Sequence, residues 1–284
     1  MNEYYLQCLN SGGFHRLHYT DWGDPTNPRV VICVHGLTRN CRDFDGLAAA
    51  LQNDLRVISV SIAGRGKSDW LPNKDDYSYP QYMNDMTALM ARVTAAGATE
   101  INWVGTSMGG MLGMLLASHP NTPLQRLVLN DVGTLIPKAS MERIGAYVGR
   151  NPRFASFAEF VQYLRTVAAP FGPLTDAQWH HLAEHNANCD AEGRWGMNYD
   201  PDIALPFRKA AAKDILLWNY YDAIRCPTLL LRGADSDLLL HETAEEMTRR
   251  GPKPRLIEFA GIGHAPALMA DDQIAAVSDF LLRT

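Results

Sequence analysis

Three separated stretches of this chain carry residue types that could make and break acyl bonds. The first is Gly105-Thr106-Ser107-Met108-Gly109. A Gly-x-Ser-x-Gly pattern directly after an apolar run, here 101–104, would seat a serine on a sharp strand-to-helix turn with its hydroxyl exposed. The small residues beside it would let the flanking backbones approach closely. A helix starting there points its first N–H groups at the turn, where they favour developing negative charge. The pattern alone arises by chance in many chains, and it is the strand before and the helix after that give it weight.

A serine hydroxyl attacks a carbonyl only when a base takes its proton. His264 is the candidate base. It stands in the Gly-rich loop Gly261-Ile262-Gly263-His264 after the last strand-like run, which would set it on the same rim as Ser107. A carboxylate must then hold the imidazole in the correct tautomer and stabilise its cation. Asp237, in the loop after the next-to-last run, is the preferred choice; Asp235 in that loop and Asp131 after the run 127–130 stay open. A loop acid without this duty would cap a turn through backbone hydrogen bonds. Donors must also face the tetrahedral oxyanion, each contributing on the order of 3 kcal/mol. The backbone N–H groups of Leu37, after His35-Gly36, and of Met108, after the serine, are the expected pair. The His35 ring itself reads as structural, bonded to loop carbonyls.

These residues need a scaffold that brings distant strand ends to one edge, and the sequence offers one. Eight β-rich runs, at 4–9, 14–22, 30–34, 56–62, 101–104, 127–129, 228–231 and 255–259, alternate with helical patterns. Such alternation implies a mostly parallel sheet covered by helices. The unbroken apolar run 30–34 suits a strand buried on both faces. The first two runs flank Ser11-Gly12-Gly13 and predict an antiparallel hairpin. Residues 82–96 repeat Met83, Met86, Leu89, Met90 and Val93 at helical spacing. From 134 to 224 no strand stands out; one amphipathic helix is expected around Phe157–Val167, and another opens at the capping pair Thr175 and Gln178. A structureless loop of that length would be unusual. The expected organisation is a core of residues 1–133 and 225–284 with a helical cap inserted at 134–224.

The chain of 284 residues, with 46% hydrophobic and 20% charged residues, has an ordinary globular composition. A net charge of −5 gives no electrostatic reason to expect nucleic acid or an anionic membrane as partner. No apolar run reaches membrane-spanning length, and MNEYYLQCLN lacks a basic-then-apolar leader pattern. Five cysteines without CxxC spacing read as free thiols in a reducing cytosol, so a cytoplasmic protein, monomeric or homodimeric, is expected.

Taken together, the His35-Gly36 motif, Gly105-Thr106-Ser107-Met108-Gly109 and Gly263-His264 resemble the α/β-hydrolase superfamily, in its capped branch of esterases, lactonases and carbon–carbon bond hydrolases. The resemblance spans essentially the whole chain. It implies an eight-stranded, mostly parallel α/β-hydrolase sheet, Ser107 as nucleophile, His264 as base, Asp237 as orienting acid, and Leu37 and Met108 as oxyanion donors. The order Ser107, Asp237, His264 is the one expected of this fold. Ser61-Ile62-Ala63-Gly64-Arg65-Gly66-Lys67-Ser68 looks like the family loop Asp-x-x-Gly-x-Gly-x-Ser, with Ser61 standing at the aspartate position. Serine rather than aspartate at the nucleophile position argues against haloalkane dehalogenases and epoxide hydrolases.

Other patterns read less chemically. Gly66-Lys67-Ser68 lacks the earlier glycine of a phosphate-binding loop. His181-Leu182-Ala183-Glu184-His185 matches a zinc-protease pattern, but the sequence names no third ligand. Trp179, Trp195, Trp218, Tyr220 and Tyr221 suit a cap core, or the lining of an acyl pocket. The expected activity is cofactor-free and metal-free hydrolysis of a small-molecule carboxylic ester through an acyl-enzyme on Ser107. A lactone substrate, cleavage of a carbon–carbon bond by the same residues, and a non-catalytic small-molecule receptor are the alternatives. Carbon–carbon cleavage of a diketo acid would call for a cationic cap residue, for which Arg150, Arg153, Arg165 and Arg194 are candidates.

Overall fold

Strand β3 (Arg29–Val34) shows how the sheet is built, because alternate residues serve different cores. Val30, Ile32 and Val34 pack into one apolar cluster, and Val31 and Cys33 into the other, on the opposite face. A strand covered on both sides has no polar face to present, which explains its unbroken apolar run. The computed structural model describes residues 1–205, 208 and 213–283. Eight strands form one sheet in the order β1-β2-β4-β3-β5-β6-β11-β12. Here β1 is Asn2–Asn10, β2 Gly13–Trp22, β4 Arg56–Val60, β5 Glu100–Thr106, β6 Leu124–Asn130, β11 Thr228–Gly233 and β12 Arg255–Phe259. β1 and β2 form the antiparallel hairpin expected from sequence, and β3, β4, β5, β6, β11 and β12 run parallel.

Helix α1 (Asp45–Leu51) follows β3, and α2 (Tyr79–Ala95) precedes β5. α2 buries Tyr82, Met86, Leu89, Met90 and Val93 on one face. It starts three residues earlier than the periodicity suggests, since Pro80 in the first turn already has a helical φ. Helix α3 (Met108–Ser118) likewise begins directly after Ser107, its first turn disguised in the sequence by Gly109 and Gly110. Each of these large side chains, taken from water into the core, contributes about 1.5–3 kcal/mol.

Between β6 and β11, neighbours in the sheet, the chain makes a long excursion. It contains α4 (Lys138–Gly145), α5 (Phe157–Val167) and α6 (Asp176–Asn186), then α7 (Trp218–Tyr221) at its end. The capping box at Thr175 and Gln178 is present, with its reciprocal bonds at 2.8 and 3.2 Å. Four strands here escape the sequence reading: β7 (Leu135–Ile136) with β10 (Ile215–Leu216), and β8 (Ala187–Cys189) with β9 (Trp195–Met197). Two or three residues are too few to show an alternating pattern. After β11 come α8 (His241–Met247) and, following β12, α9 (Asp271–Leu282). All five cysteines are free thiols, and among the described residues no helix is long and apolar enough to cross a membrane.

Candidate active site

The register of the parallel strands decides which residues meet. Val34 pairs with Gly105 across β3 and β5, and Thr106 with Asn130 across β5 and β6. Ser107 and Asp131 are therefore the next residues off two adjacent strands whose ends are flush. The turn is tied at both points: Ser107 N–H donates to Asn130 O at 2.9 Å, and Asp131 N–H to Leu231 O at 2.8 Å.

Ser107 has φ 53° and ψ −113°, a left-handed conformation that a side chain rarely takes. Such backbone costs about 1–3 kcal/mol and persists only where the surroundings impose it. Here they do. A Cβ on Gly105 would lie 2.3 Å from the Gly109 carbonyl, and one on Gly109 would lie 2.0 Å from Val34 O. Only glycine at both positions lets strand, turn and helix pack this tightly, which is the physical content of the Gly-x-Ser-x-Gly spacing.

His264 Nε2 lies 2.8 Å from Ser107 Oγ, and His264 Nδ1 lies 2.7 Å from Asp131 Oδ2. Asp131 is wholly buried. Its Oδ2 also accepts from Ser236 Oγ at 2.6 Å, and its Oδ1 from Gly233 N–H at 2.9 Å. A carboxyl group with this many donors around it is fixed in one orientation, with Nδ1 of the imidazole beside it.

The acid preferred from sequence, Asp237, is elsewhere. Its side chain is 51% exposed and accepts both Nε (2.5 Å) and Nη2 (2.8 Å) of Arg143, which projects from α4. Asp235 is also exposed. In the β11 loop Ser236 turns inward while the acids on either side of it turn outward, so neither carboxylate can reach His264. Asp131 comes instead from β6, the strand between β5 and β11. The sequence signal that could have found it is its place one residue after the apolar run Leu127-Val128-Leu129, with no residue of slack between the strand end at Asn130 and the carboxylate.

The loop after β3 abuts Ser107, since a Cβ on Gly36 would lie 3.7 Å from Ser107 Cβ. Leu37 and Met108 both border a cavity that reaches Ser107. Met108 is the first residue of α3, so its N–H has no acceptor within the helix. His35 is buried; Nδ1–H donates to Gly36 O at 2.7 Å, and Nε2 accepts from Ile62 N–H at 2.9 Å. Burial pushes its pKa down to about 4, so the ring is a neutral brace between two loops.

Sequence reading did not foresee the part played by Arg65. This fully buried guanidinium donates to Leu37 O at 2.9 Å, to Ala63 O at 2.7 Å and to the Tyr82 hydroxyl at 2.8 Å. It also lies over the Tyr82 ring at 5.2 Å, so the loop bearing Leu37 is held by a buried cation. In the same loop Ser61 replaces the family aspartate, and its hydroxyl accepts from Cys41 N–H at 3.2 Å.

Two cavities meet at Ser107. One, of about 110 Å³, has His264 in its wall together with Arg39, Asp43, Arg143, Tyr147 and Phe171. The other, of about 340 Å³, is apolar and includes Tyr77, Tyr79, Met111, Met141 and Ile215, without His264. The aromatic residues expected to line an acyl pocket (Trp179, Trp195, Trp218, Tyr220 and Tyr221) border neither cavity. Trp179 and Tyr221 are buried in the apolar core, and Trp195 meets Phe157 edge to face. The cavity's aromatic wall comes instead from Tyr77, Tyr79 and Tyr82, outside the excursion. Of the cationic candidates, Arg194 is bound to Asp190 and Arg165 to Asp176, and Arg150 and Arg153 line neither cavity.

His181 and His185 do share one face of α6, and the structure supplies a third group, Asp45. The positive charge there is already provided, because Arg42 grips both oxygens of Asp45 at 3.0 and 2.8 Å. Lys67, of the phosphate-loop look-alike, pairs with Glu3 at 2.6 Å.

Comparison with known proteins follows the same lines. The family described as "alpha/beta hydrolase fold" matches residues 29–269. A curated relative, the "3-hydroxybutyrate-oligomer hydrolase" of Cupriavidus necator, is 45% identical over 97% of this chain and 96% of its own. A crystal structure from Rickettsia typhi superposes with a TM-score of 0.92 at 31% identity, covering 99% of both chains. An alpha/beta hydrolase from Novosphingobium aromaticivorans does so with a TM-score of 0.87 at 36% identity, over 100% of this chain and 98% of that one.

Proposed function

This chain belongs to the α/β-hydrolase family and is a hydrolase acting on esters, and from that premise we propose that Ser107, His264 and Asp131 carry the reaction on short oligoesters of 3-hydroxybutyrate. The observation that carries the assignment of residues is the continuous relay from Ser107 Oγ to His264 at 2.8 Å and on to Asp131 at 2.7 Å. The substrate class rests on the relative from Cupriavidus necator, whose likeness runs nearly end to end.

In the first half-reaction His264 Nε2 takes the Ser107 proton while Oγ bonds to the ester carbonyl carbon. The carbonyl oxygen becomes an oxyanion facing the N–H groups of Leu37 and Met108. Asp131 keeps the other ring proton on Nδ1 and stabilises the imidazolium. When the tetrahedral carbon collapses, the ester C–O bond breaks and the leaving oxygen takes the proton from Nε2. Water then enters, gives its proton to His264 and adds to the acyl carbon. Ser107 departs with that proton, leaving a free acid. We read residues 134–224 as a cap over this rim, its helix α4 contributing Arg143 and Ile144 to the cavity walls. A soluble, cytoplasmic setting suits short diffusible oligoesters.

The test is release of 3-hydroxybutyrate from its trimer, and of nitrophenolate from p-nitrophenyl butyrate, by wild type and by Ser107→Ala. Loss of both activities in the variant, below a thousandth of wild type, is expected. Retention within tenfold would overturn the nucleophile assignment, and cleavage of the butyrate alone by wild type would overturn the substrate class.

A further inference from the structure

We infer that the enzyme degrades its oligoester from the carboxylate end, releasing one hydroxy acid per turnover, because the cavity that must hold the leaving group is the one walled by Arg39 and Arg143. This rests on the substrate class and the Ser107–His264 pair proposed above.

The direction follows from where the proton is delivered. His264 Nε2 protonates the departing oxygen, so the alcohol half of the ester lies on the His264 side of Ser107 and the acyl half on the other. Of the two cavities meeting at Ser107, only the smaller has His264 in its wall. Arg39 and Arg143 also line that cavity, with Asp43 as the one acid in its wall among the described residues. The larger one is lined by Tyr77, Tyr79, Met111, Met141 and Ile215, and among the described residues none in its wall is charged. A neutral stretch of polyester fits the apolar cavity, and an anion belongs in the other. In an oligomer of a hydroxy acid just one alcohol unit carries a free carboxylate, the terminal one. Placing it beside the guanidiniums aligns the last ester bond with Ser107. Water and the oligomer then give an oligomer one unit shorter and the free hydroxy acid.

The two arginines differ in how readily they accept a further anion. Arg39 donates Nε and Nη2 to Asp43, and the pair is enclosed, at 8% and 17% exposure. Arg143 donates the same two groups to Asp237, but that pair is 42% and 51% exposed. A half-exposed ion pair is worth little and exchanges at small cost. A guanidinium has five N–H donors, so three on each arginine are not committed to these carboxylates. Arg143, reaching across from α4, is the group that reads the substrate carboxylate, with Arg39 fixing the floor of the cavity through Asp43 and the Phe171 ring, 5.4 Å away.

The experiment compares a 3-hydroxybutyrate trimer as free acid with its carboxyl methyl ester, and follows a tetramer carrying ¹³C in its carboxyl-terminal unit. For wild type, kcat/KM is expected to be at least tenfold higher on the acid, and the label to appear in the first monomer released. Arg143→Gln should bring the acid-to-ester ratio close to one, and Arg143→Lys should restore part of it. Equal rates on acid and methyl ester in wild type, a ratio unmoved by Arg143→Gln, or label left in the trimer would each overturn the direction. Such results would leave the ester chemistry intact, because p-nitrophenyl butyrate and the methyl ester would still be cleaved. If no oligomer is cleaved at all, the substrate class falls, and the direction with it.

Discussion

The substitution Asp131→Asn changes one atom of the site, an oxygen for a nitrogen, and the hydrogen bonds around it turn that change into a large kinetic effect. In the native enzyme Oδ1 accepts from Gly233 N–H, and Oδ2 accepts from both Ser236 and His264. The amide introduced by Asp131→Asn keeps its oxygen on Gly233 and turns its NH₂ toward the other two. Ser236 can rotate its hydroxyl to accept. His264 cannot adapt without moving its proton from Nδ1 to Nε2, and then Nε2 no longer takes the proton of Ser107. The same substitution in a serine protease lowers kcat by about 10⁴, or about 5.5 kcal/mol. A loss of 10³–10⁴ is expected here for p-nitrophenyl butyrate at pH 7.5 (about 4–5.5 kcal/mol). The comparison is Asp237→Asn. That change breaks an ion pair with both partners about half exposed, worth about 0–1 kcal/mol of stability, and kcat should stay within about threefold. Thermal melting of both variants, expected within a few degrees of wild type, separates a proton-relay defect from unfolding. If Asp237→Asn lost as much activity as Asp131→Asn, the relay drawn through Asp131 would be wrong.

Further outcomes follow from buried groups. Replacing Arg65 by Met strips donors from two buried carbonyls and the Tyr82 hydroxyl; urea unfolding should show a loss of about 3 kcal/mol and kcat a drop of more than tenfold, and a change below about 1 kcal/mol would mean the guanidinium does not hold the Leu37 loop. His35, with a folded pKa of about 4 against an unfolded 6.5, contributes stability that is complete above pH 6.5 and is lost as the pH falls toward 4; this amounts to about 2 kcal/mol between pH 7.5 and 5. His35→Asn should start less stable and decline less steeply by that amount, and an unchanged slope would contradict the burial argument. Of the five thiols only Cys189 is exposed, while burial raises Cys8, Cys33 and Cys41 to about 12; a thiol reagent should titrate one group rapidly in the native state and the rest upon unfolding. Rapid reaction of three or more would show a looser core.

Much of this was legible because it is local. The glycines around Ser107 answer to contacts within a few residues, and the loop carrying His264 directly follows the last apolar run. The apolar runs themselves gave the sheet and its two-sided burial. Choosing between Asp131 and Asp237 needed information of another kind, namely which strand ends are flush and which way a loop turns. Those follow from the pairing of Thr106 with Asn130 and from the inward turn of Ser236, neither of which leaves a periodic trace. Arg65 was hidden for a related reason. Its partners, Leu37, Ala63 and Tyr82, belong to three segments, and a single arginine in a Gly-rich loop reads as solvent-facing until they converge.

The point where the chain leaves β6 and the point where it comes back are bonded to one another. Leu135 pairs with Leu216, Ile136 with Ile215, and Leu217 N–H donates to Thr134 O at 2.7 Å. Whatever lies beyond that clasp enters and exits through a single doorway, so its length and content can vary while the arrangement of the strands beneath stays as it is. Exchange of this stretch between relatives by recombination would then transplant substrate preference as a unit, with both splice points falling in a four-residue clasp of which Ile136 and Ile215 themselves border the apolar cavity.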